Sequence, residues 1–234
     1  SLDEDVEVAP ALAQSVPLIN ANKAWSSGFS GSAWTVAILD TGVQSSHPFL
    51  AGRVVHEACF STTNANWGVQ SLCPNGAQQQ IGSGAAAPCG SGCNHGTHVA
   101  GVAAGSGGPG SGVAPGASVI AIQVFSRKVT DCPDGNCVTS YSSDWMLALE
   151  HVYSLRQQYN IAAVNMSLGG SRFYEYCDST SWAQAAKQDI DNLRAAGIAT
   201  VIASANDGYV DSIGFPACIS SAISVGSTWD SAGS

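Results

Sequence analysis

The 234-residue sequence predicts an α/β fold, with a mostly parallel central sheet and helices on both faces. Three observations support this. Short β-branched apolar runs recur at residues 34–39, 118–125, 161–166, 198–204 and 222–225. They are continuously apolar rather than alternating, as strands covered on both faces are. Between the later runs lie stretches of helical periodicity, so strand and helix alternate along the chain.

Composition narrows the class. Only 11% of residues are charged, against about 25% in an average domain, while 45% are hydrophobic. That apolar content can offset chain entropy, so disorder is excluded. No apolar run approaches the roughly 20 residues of a membrane-spanning helix, and no internal repeat occurs. The net charge is −9 and no basic tract exists, which excludes nucleic acid and anionic membranes as partners. The eight cysteines, several in Gly/Pro/Asn loops, point to disulfides and a secreted or periplasmic location rather than to buried cytosolic thiols. A secretory leader before Ser1 is expected either to have been removed or not to be part of this sequence.

The elements follow in order. Residues 1–10 carry four of the 17 acids and end at Pro10, which suggests a separate segment before the domain. Residues 34–39 form a buried strand that ends in the turn Asp40-Thr-Gly. Residues 59–94, rich in Gly, Ser, Asn and Gln with four cysteines, form a long stapled insertion. The small, apolar residues 95–105 suit a tightly packed helix, and 118–125 form a second strand. A helix over 143–159 places Trp145, Leu149, Val152 and Leu155 on one face, capped by Ser142 or Ser143. Residues 161–166 form the third strand. A helix over 182–196 turns Trp182, Ala186, Ile190 and Leu193 inward, with Gly197 at its C′ position. Strands at 198–204 and 222–225 complete the pattern.

In such sheets, sites collect at the carboxyl ends of strands. Asp40 ends the first strand, Ser167-Leu168-Gly169-Gly170 follows the third and Ala205-Asn206-Asp207 the fourth, while His95 opens a helix. An Asp-Thr-Gly alone is a turn, and an Asn after a strand is ordinarily a cap. Together they supply an orienting carboxylate, a base and an oxyanion donor, the set that acyl transfer needs.

The wider motifs are Val36-Ala-Ile-Leu-Asp40-Thr-Gly-Val43 with Ser45-Ser-His47-Pro48, and His95-Gly-Thr-His98-Val-Ala-Gly101 with Gly112-Val-Ala-Pro115-Gly116. Then come Val164-Asn-Met-Ser167-Leu-Gly-Gly170 and Ile202-Ala-Ser-Ala-Asn206-Asp-Gly208, followed by Phe215-Pro-Ala217 and Ile223-Ser-Val-Gly226. In this order they resemble the subtilisin-like serine proteases, the subtilases, over residues 13–229. The resemblance implies a secreted endopeptidase with a subtilisin-like fold that acts on polypeptides by a Ser-His-Asp mechanism. Asp40 resembles the acid that orients the base, His95 the general base and Asn206 the oxyanion donor. Ser167, Leu168 and Gly169 resemble the edge that pairs with substrate backbone, and Ala203, Ser204 and Ala205 the opposite wall of the primary specificity pocket. Residues 1–12 resemble a propeptide tail, with cleavage expected near Leu12–Ala13, and 13–234 an incomplete catalytic domain.

Three departures stand out. No Gly-Thr-Ser occurs, so the nucleophile and its helix are expected on a further segment or a second chain, and this chain alone is expected to be inactive. Ala205 stands where a Gly commonly precedes the oxyanion Asn, so its methyl narrows the pocket. Chemistry needs no cofactor. A structural calcium is implied by the family, but Phe49 and residues 105–112 replace the ligands of its best-known site, although Gln14 remains. Two alternatives are a catalytically inactive peptide-binding domain and a zinc site formed by Cys89, Cys93, His95 and His98.

For the disulfides, the spacing pairs Cys132 with Cys137 across a short turn. Cys177 and Cys218, which follow the substrate strand and the Phe-Pro turn, are expected to pair. Cys59, Cys73, Cys89 and Cys93 then pair among themselves in an order the spacing leaves open.

Overall fold

The computed structural model describes residues 11–90, 92–107, 110–130, 132 and 137–228. The acidic segment 1–10 and the turn expected between Cys132 and Cys137 lie outside the described residues. The chain begins with α1 (Ala11–Leu18) and α2 (Ala21–Ser26), then β1 (Thr35–Asp40), β2 (Val54–Phe60), β3 (Val69–Ser71) and β4 (Gln79–Ile81). It continues through α3 (His95–Ala104), β5 (Ser118–Gln123), β6 (Phe125–Lys128), β7 (Val138–Ser140), α4 (Ser142–Leu155) and β8 (Ile161–Met166). Last come β9 (Gly170–Phe173), α5 (Gln184–Ala195), β10 (Ala199–Ala203), β11 (Ile213–Phe215) and β12 (Ile223–Val225).

Seven strands form the central sheet in the order β12-β10-β8-β1-β5-β2-β4. Every pair is parallel except β2–β4. From β1 the chain builds toward β2, and after β5 it crosses β1 to build β8, β10 and β12 on the other side. Connections therefore leave β1 and β8 in opposite directions, and their carboxyl ends flank the crevice where open α/β sheets bind ligands.

The alternation along each strand divides the core. Leu39, Ile122 and Met166 face α4 and α5, against Trp145, Leu149, Ile190 and Leu193. Ile38, Val119 and Ala121 face Ala100 and Ala104 of α3. Each fully buried Leu or Ile contributes about 1.5–3 kcal/mol. By register, Asn165, Val201 and Ile223 share the face of Ile38, and Val225 lies two residues on from Ile223. Toward that edge the face is open, with Ile223 52% and Val225 49% exposed.

Several local expectations hold and others change. At Gly197, φ is +80°, and its N–H reaches the Arg194 carbonyl while the Ile198 N–H reaches that of Leu193, so a left-handed C′ residue closes α5. The cap of α4 is Tyr141 rather than Ser142 or Ser143, and it makes no side-chain capping bond. Asp144 in the first turn provides the favourable charge instead, and the Tyr141 ring stacks on Trp67. Trp182 does not begin the inward face of α5. It sits in a preceding 3₁₀ turn, 54% exposed, and packs edge-on against Phe215. The helix α1 runs through the expected Leu12–Ala13 junction.

The eight cysteines form four bridges: Cys59–Cys73, Cys89–Cys93, Cys132–Cys137 and Cys177–Cys218, with Cα separations of 5.4–5.6 Å. No described helix is long and apolar enough to cross a membrane.

Candidate active site

Asp40 is the last residue of β1 and is 1% exposed. A buried carboxylate needs partners, and it has them. Its Oδ1 accepts the Thr41 N–H at 2.7 Å, and its two oxygens lie 2.8 and 2.9 Å from His95 Nδ1. Two acceptors on one ring nitrogen favour the tautomer with its proton on Nδ1 and leave the Nε2 lone pair outward. The His95 side chain is 53% exposed, so the ring is not sealed in the core.

The pair depends on how closely α3 approaches β1. Gly96 provides that approach, because a Cβ there would overlap the Gly42 carbonyl and lie 3.0 Å from Asp40 Cβ. Thr41 ties the junction together. Its hydroxyl donates to the Cys93 carbonyl at 3.2 Å and accepts the Gly96 N–H at 3.0 Å. The Cys89–Cys93 bridge encloses the turn just before α3.

Register brings the other residues to the same edge. Leu39 pairs with Met166, and Met166 with Ile202, so Asp40, Ser167 and Ala203 leave the sheet at one level. Asn165 Nδ2 donates to Ser167 Oγ at 3.0 Å. Beyond β10, the Ser204 N–H reaches the Val225 carbonyl at 2.9 Å, and Gly214 donates to the Ser204 carbonyl at 3.0 Å. Asn206 stands exposed in the turn that follows. Among the described residues no hydrogen bond joins it to Asp40 or His95. Gly169, Ala205 and Gly214 converge, since a Cβ on either glycine would lie within 3.9 Å of the Ala205 methyl.

One wall escaped the sequence reading. β7 is the edge of a small antiparallel sheet ordered β3-β6-β7, and a cavity of about 490 Å³ separates it from Leu168–Ser171. Trp145, Trp182 and Phe215 line that cavity. Asp144, 4% exposed, anchors this side by accepting the Thr62 N–H at 3.0 Å and the Thr62 hydroxyl at 2.9 Å. Burial raises its pKa above the ordinary carboxylate value, and the bonds from Thr62 and Ser126 oppose that shift. An acid in the first turn of the helix expected over 143–159 was the available signal.

At the positions considered for zinc and for calcium the geometry is specific. Cys89 and Cys93 are bonded to each other, which removes two of the four zinc ligands considered. Among the described residues no cluster of three or more His, Cys, Asp or Glu could hold a metal. Phe49 lies across Gly101 of α3 and its C-cap Gly105, where a Cβ on Gly105 would overlap the ring. The Ser106 N–H closes onto the Phe49 carbonyl at 2.8 Å. The adjacent cavity of about 400 Å³ is lined by groups such as Leu12, Phe49, Leu50 and Val102, and no carboxylate lines it.

Comparison with known proteins gives consistent matches. The family model Peptidase_S8, described as Subtilase family, matches residues 31–233. "Minor extracellular protease Vpr" of Bacillus subtilis (strain 168) is 30% identical over 229 residues, covering 97% of this chain and 24% of that protein. "Subtilisin DY" of Bacillus licheniformis is 33% identical over 216 residues, covering 90% of this chain and 62% of that protein. Among solved structures, "Sphericase" superposes with a TM-score of 0.59 at 27% identity, over 83% of this chain and 53% of that one. The chain thus spans less than two thirds of these relatives.

Proposed function

The chain belongs to the subtilase family, and on that premise we propose that it is the larger, N-terminal part of the catalytic domain of a secreted serine endopeptidase. The contact of Asp40 with His95 Nδ1 carries this reading. In the reaction, His95 Nε2 takes the proton of a serine hydroxyl as the oxygen attacks the scissile carbonyl. Asp40 holds the ring in the required tautomer and stabilises the imidazolium that forms. Asn206 donates to the oxyanion of the tetrahedral intermediate. His95 then passes the proton to the departing amine, and water resolves the acyl-enzyme by the reverse sequence. The substrate lies extended along Ser167, Leu168 and Gly169, where main-chain pairing grips any sequence.

The serine is supplied by polypeptide beyond these 234 residues, in a Gly-Thr-Ser that this sequence lacks. The half-exposed Ile223 and Val225 support that reading, since a further apolar element would cover them. Alone, the chain has a base and an oxyanion donor but no nucleophile, and it does not hydrolyse peptides. Residues 1–12 are the propeptide tail, and cleavage at Leu12–Ala13 requires the first turn of α1 to unwind. The Phe49 slot supports a chain that takes no calcium at that place. Four disulfides and the kinship with a protein named extracellular favour secretion. A purely peptide-binding role is disfavoured, because binding alone needs no buried carboxylate on an imidazole.

A serine-directed phosphonate tests the reading in the full-length protein. The adduct is expected on one serine outside these 234 residues and absent after prior heat denaturation. No adduct, or one on a serine within the 234, would overturn it.

A further inference from the structure

Ala205 has φ +94°, a left-handed conformation that L side chains rarely adopt. Glycine would take it without strain, so a methyl held there points to a role for the methyl. Its surroundings show where it goes. An ideal Cβ on Gly214 would lie 3.0 Å from Ala205 Cβ, and one on Gly169 would lie 3.9 Å from it. A Cβ on Gly169 would also lie 3.7 Å from the Ala203 carbonyl, and one on Gly214 3.3 Å from the Ser204 carbonyl. Two glycines therefore leave room for a single carbon that fills the gap between the walls 167–170 and 203–205.

We propose that the Ala205 methyl is a specificity-determining group that closes this slot to large side chains, so that the enzyme cleaves after glycine, alanine or serine. The proposal rests on the peptidase reading above and deepens it. With a carbon–carbon bond of about 1.5 Å, Gly169 Cα lies at most about 5.4 Å from the methyl. An aromatic or leucyl side chain between them needs a van der Waals contact on each side, about 7–8 Å in total. The slot is too narrow by roughly the thickness of a methyl group. A small side chain need not enter it, so its backbone can still pair along Ser167–Gly169 while the carbonyl faces Asn206.

The test uses the full-length protein and two fluorogenic peptides that differ only in alanine or phenylalanine before the scissile bond. The wild type is expected to favour alanine at least tenfold in kcat/KM, within the range that a hydrophobic pocket can discriminate. Ala205→Gly is expected to reduce that ratio at least tenfold, mainly by raising the phenylalanine value. A wild type that cleaves both peptides equally or prefers phenylalanine, or a ratio unchanged by Ala205→Gly, would overturn the proposal and leave the peptidase reading standing. Failure to cleave either peptide, with no phosphonate adduct, would overturn the peptidase reading and this proposal with it.

Discussion

Gly96, the second residue of α3, stands so close to Asp40 at the end of β1 that a Cβ on it would lie 3.0 Å from the Asp40 Cβ and overlap the Gly42 carbonyl. The helix that carries His95 can reach the carboxylate only because this side chain is absent. Gly96→Ala must push α3 away from β1 and lengthen the 2.8 Å contact of His95 with Asp40. A shift of about 1 Å is expected to cost about 10²-fold in kcat and about 1–3 kcal/mol of stability from overpacking. Steady-state kinetics and thermal unfolding of the full-length variant check this; a wild-type kcat would contradict it.

Asn206 is exposed, and on the proposed reading its side chain donates to the oxyanion. Asn206→Ala is expected to lower kcat by about 10²–10³, the value of one oxyanion donor, with KM little changed. A rise in KM at constant kcat would show that Asn206 binds the ground state instead.

His56 on β2 and His151 on α4 meet through their Nε2 atoms at 2.9 Å. Burial lowers both pKa values below 6.5. Glu57 partly offsets this for His56, and the His56 charge adds to it for His151. Phe60 and Tyr159 pack against the pair as rings. The unfolded chain therefore binds protons more readily than the folded one. The contribution of the pair is complete above about pH 6.5 and is lost as the pH falls from there through the lowered values. Melting temperatures at pH 7.5 and 5.0 should show this decline, and His56→Gln with His151→Gln should remove most of it. An unchanged decline in the double variant would locate the acid sensitivity elsewhere.

Cys177 and Cys218 are both 1% exposed and join the segments, 41 residues apart, that follow the paired strands β9 and β11. Closing a loop of that length is worth about 4 kcal/mol on the chain-entropy account. The Cys177→Ser/Cys218→Ser variant should lose about that much in denaturant unfolding. The same change at Cys132 and Cys137, five residues apart, should cost less.

The sequence made the site more legible than its surroundings. β1 with its Asp-Thr-Gly, the helix at His95 and Gly197 after α5 are each specified by local chemistry, so they could be recognised before folding was considered. β2 was not, because His56 and Glu57 interrupt the apolar run of Val54–Phe60. Only the fold supplies Glu57 with the Gly84 N–H that satisfies its carboxylate. β4, a polar Gln79–Ile81 edge in a loop-like insertion, has no local strand signal and is set by pairing with Ala58–Phe60. α1 was missed partly because Pro17 lies inside it. Ile223 and Val225 read as a buried strand, yet they are half-exposed because burial depends on what lies across the sheet.

On the proposed reading, Asp40 and His95 form the acid and base of a serine peptidase completed outside these 234 residues. The most direct test is kcat/KM of the full-length protein on one alanyl peptide, for the wild type, Asp40→Asn and His95→Ala. Phosphonate-sensitive hydrolysis is expected, with losses of about 10⁴ for Asp40→Asn and about 10⁶ for His95→Ala at near-wild-type melting temperatures. Hydrolysis by His95→Ala within tenfold of the wild type, still blocked by the phosphonate, would contradict that reading.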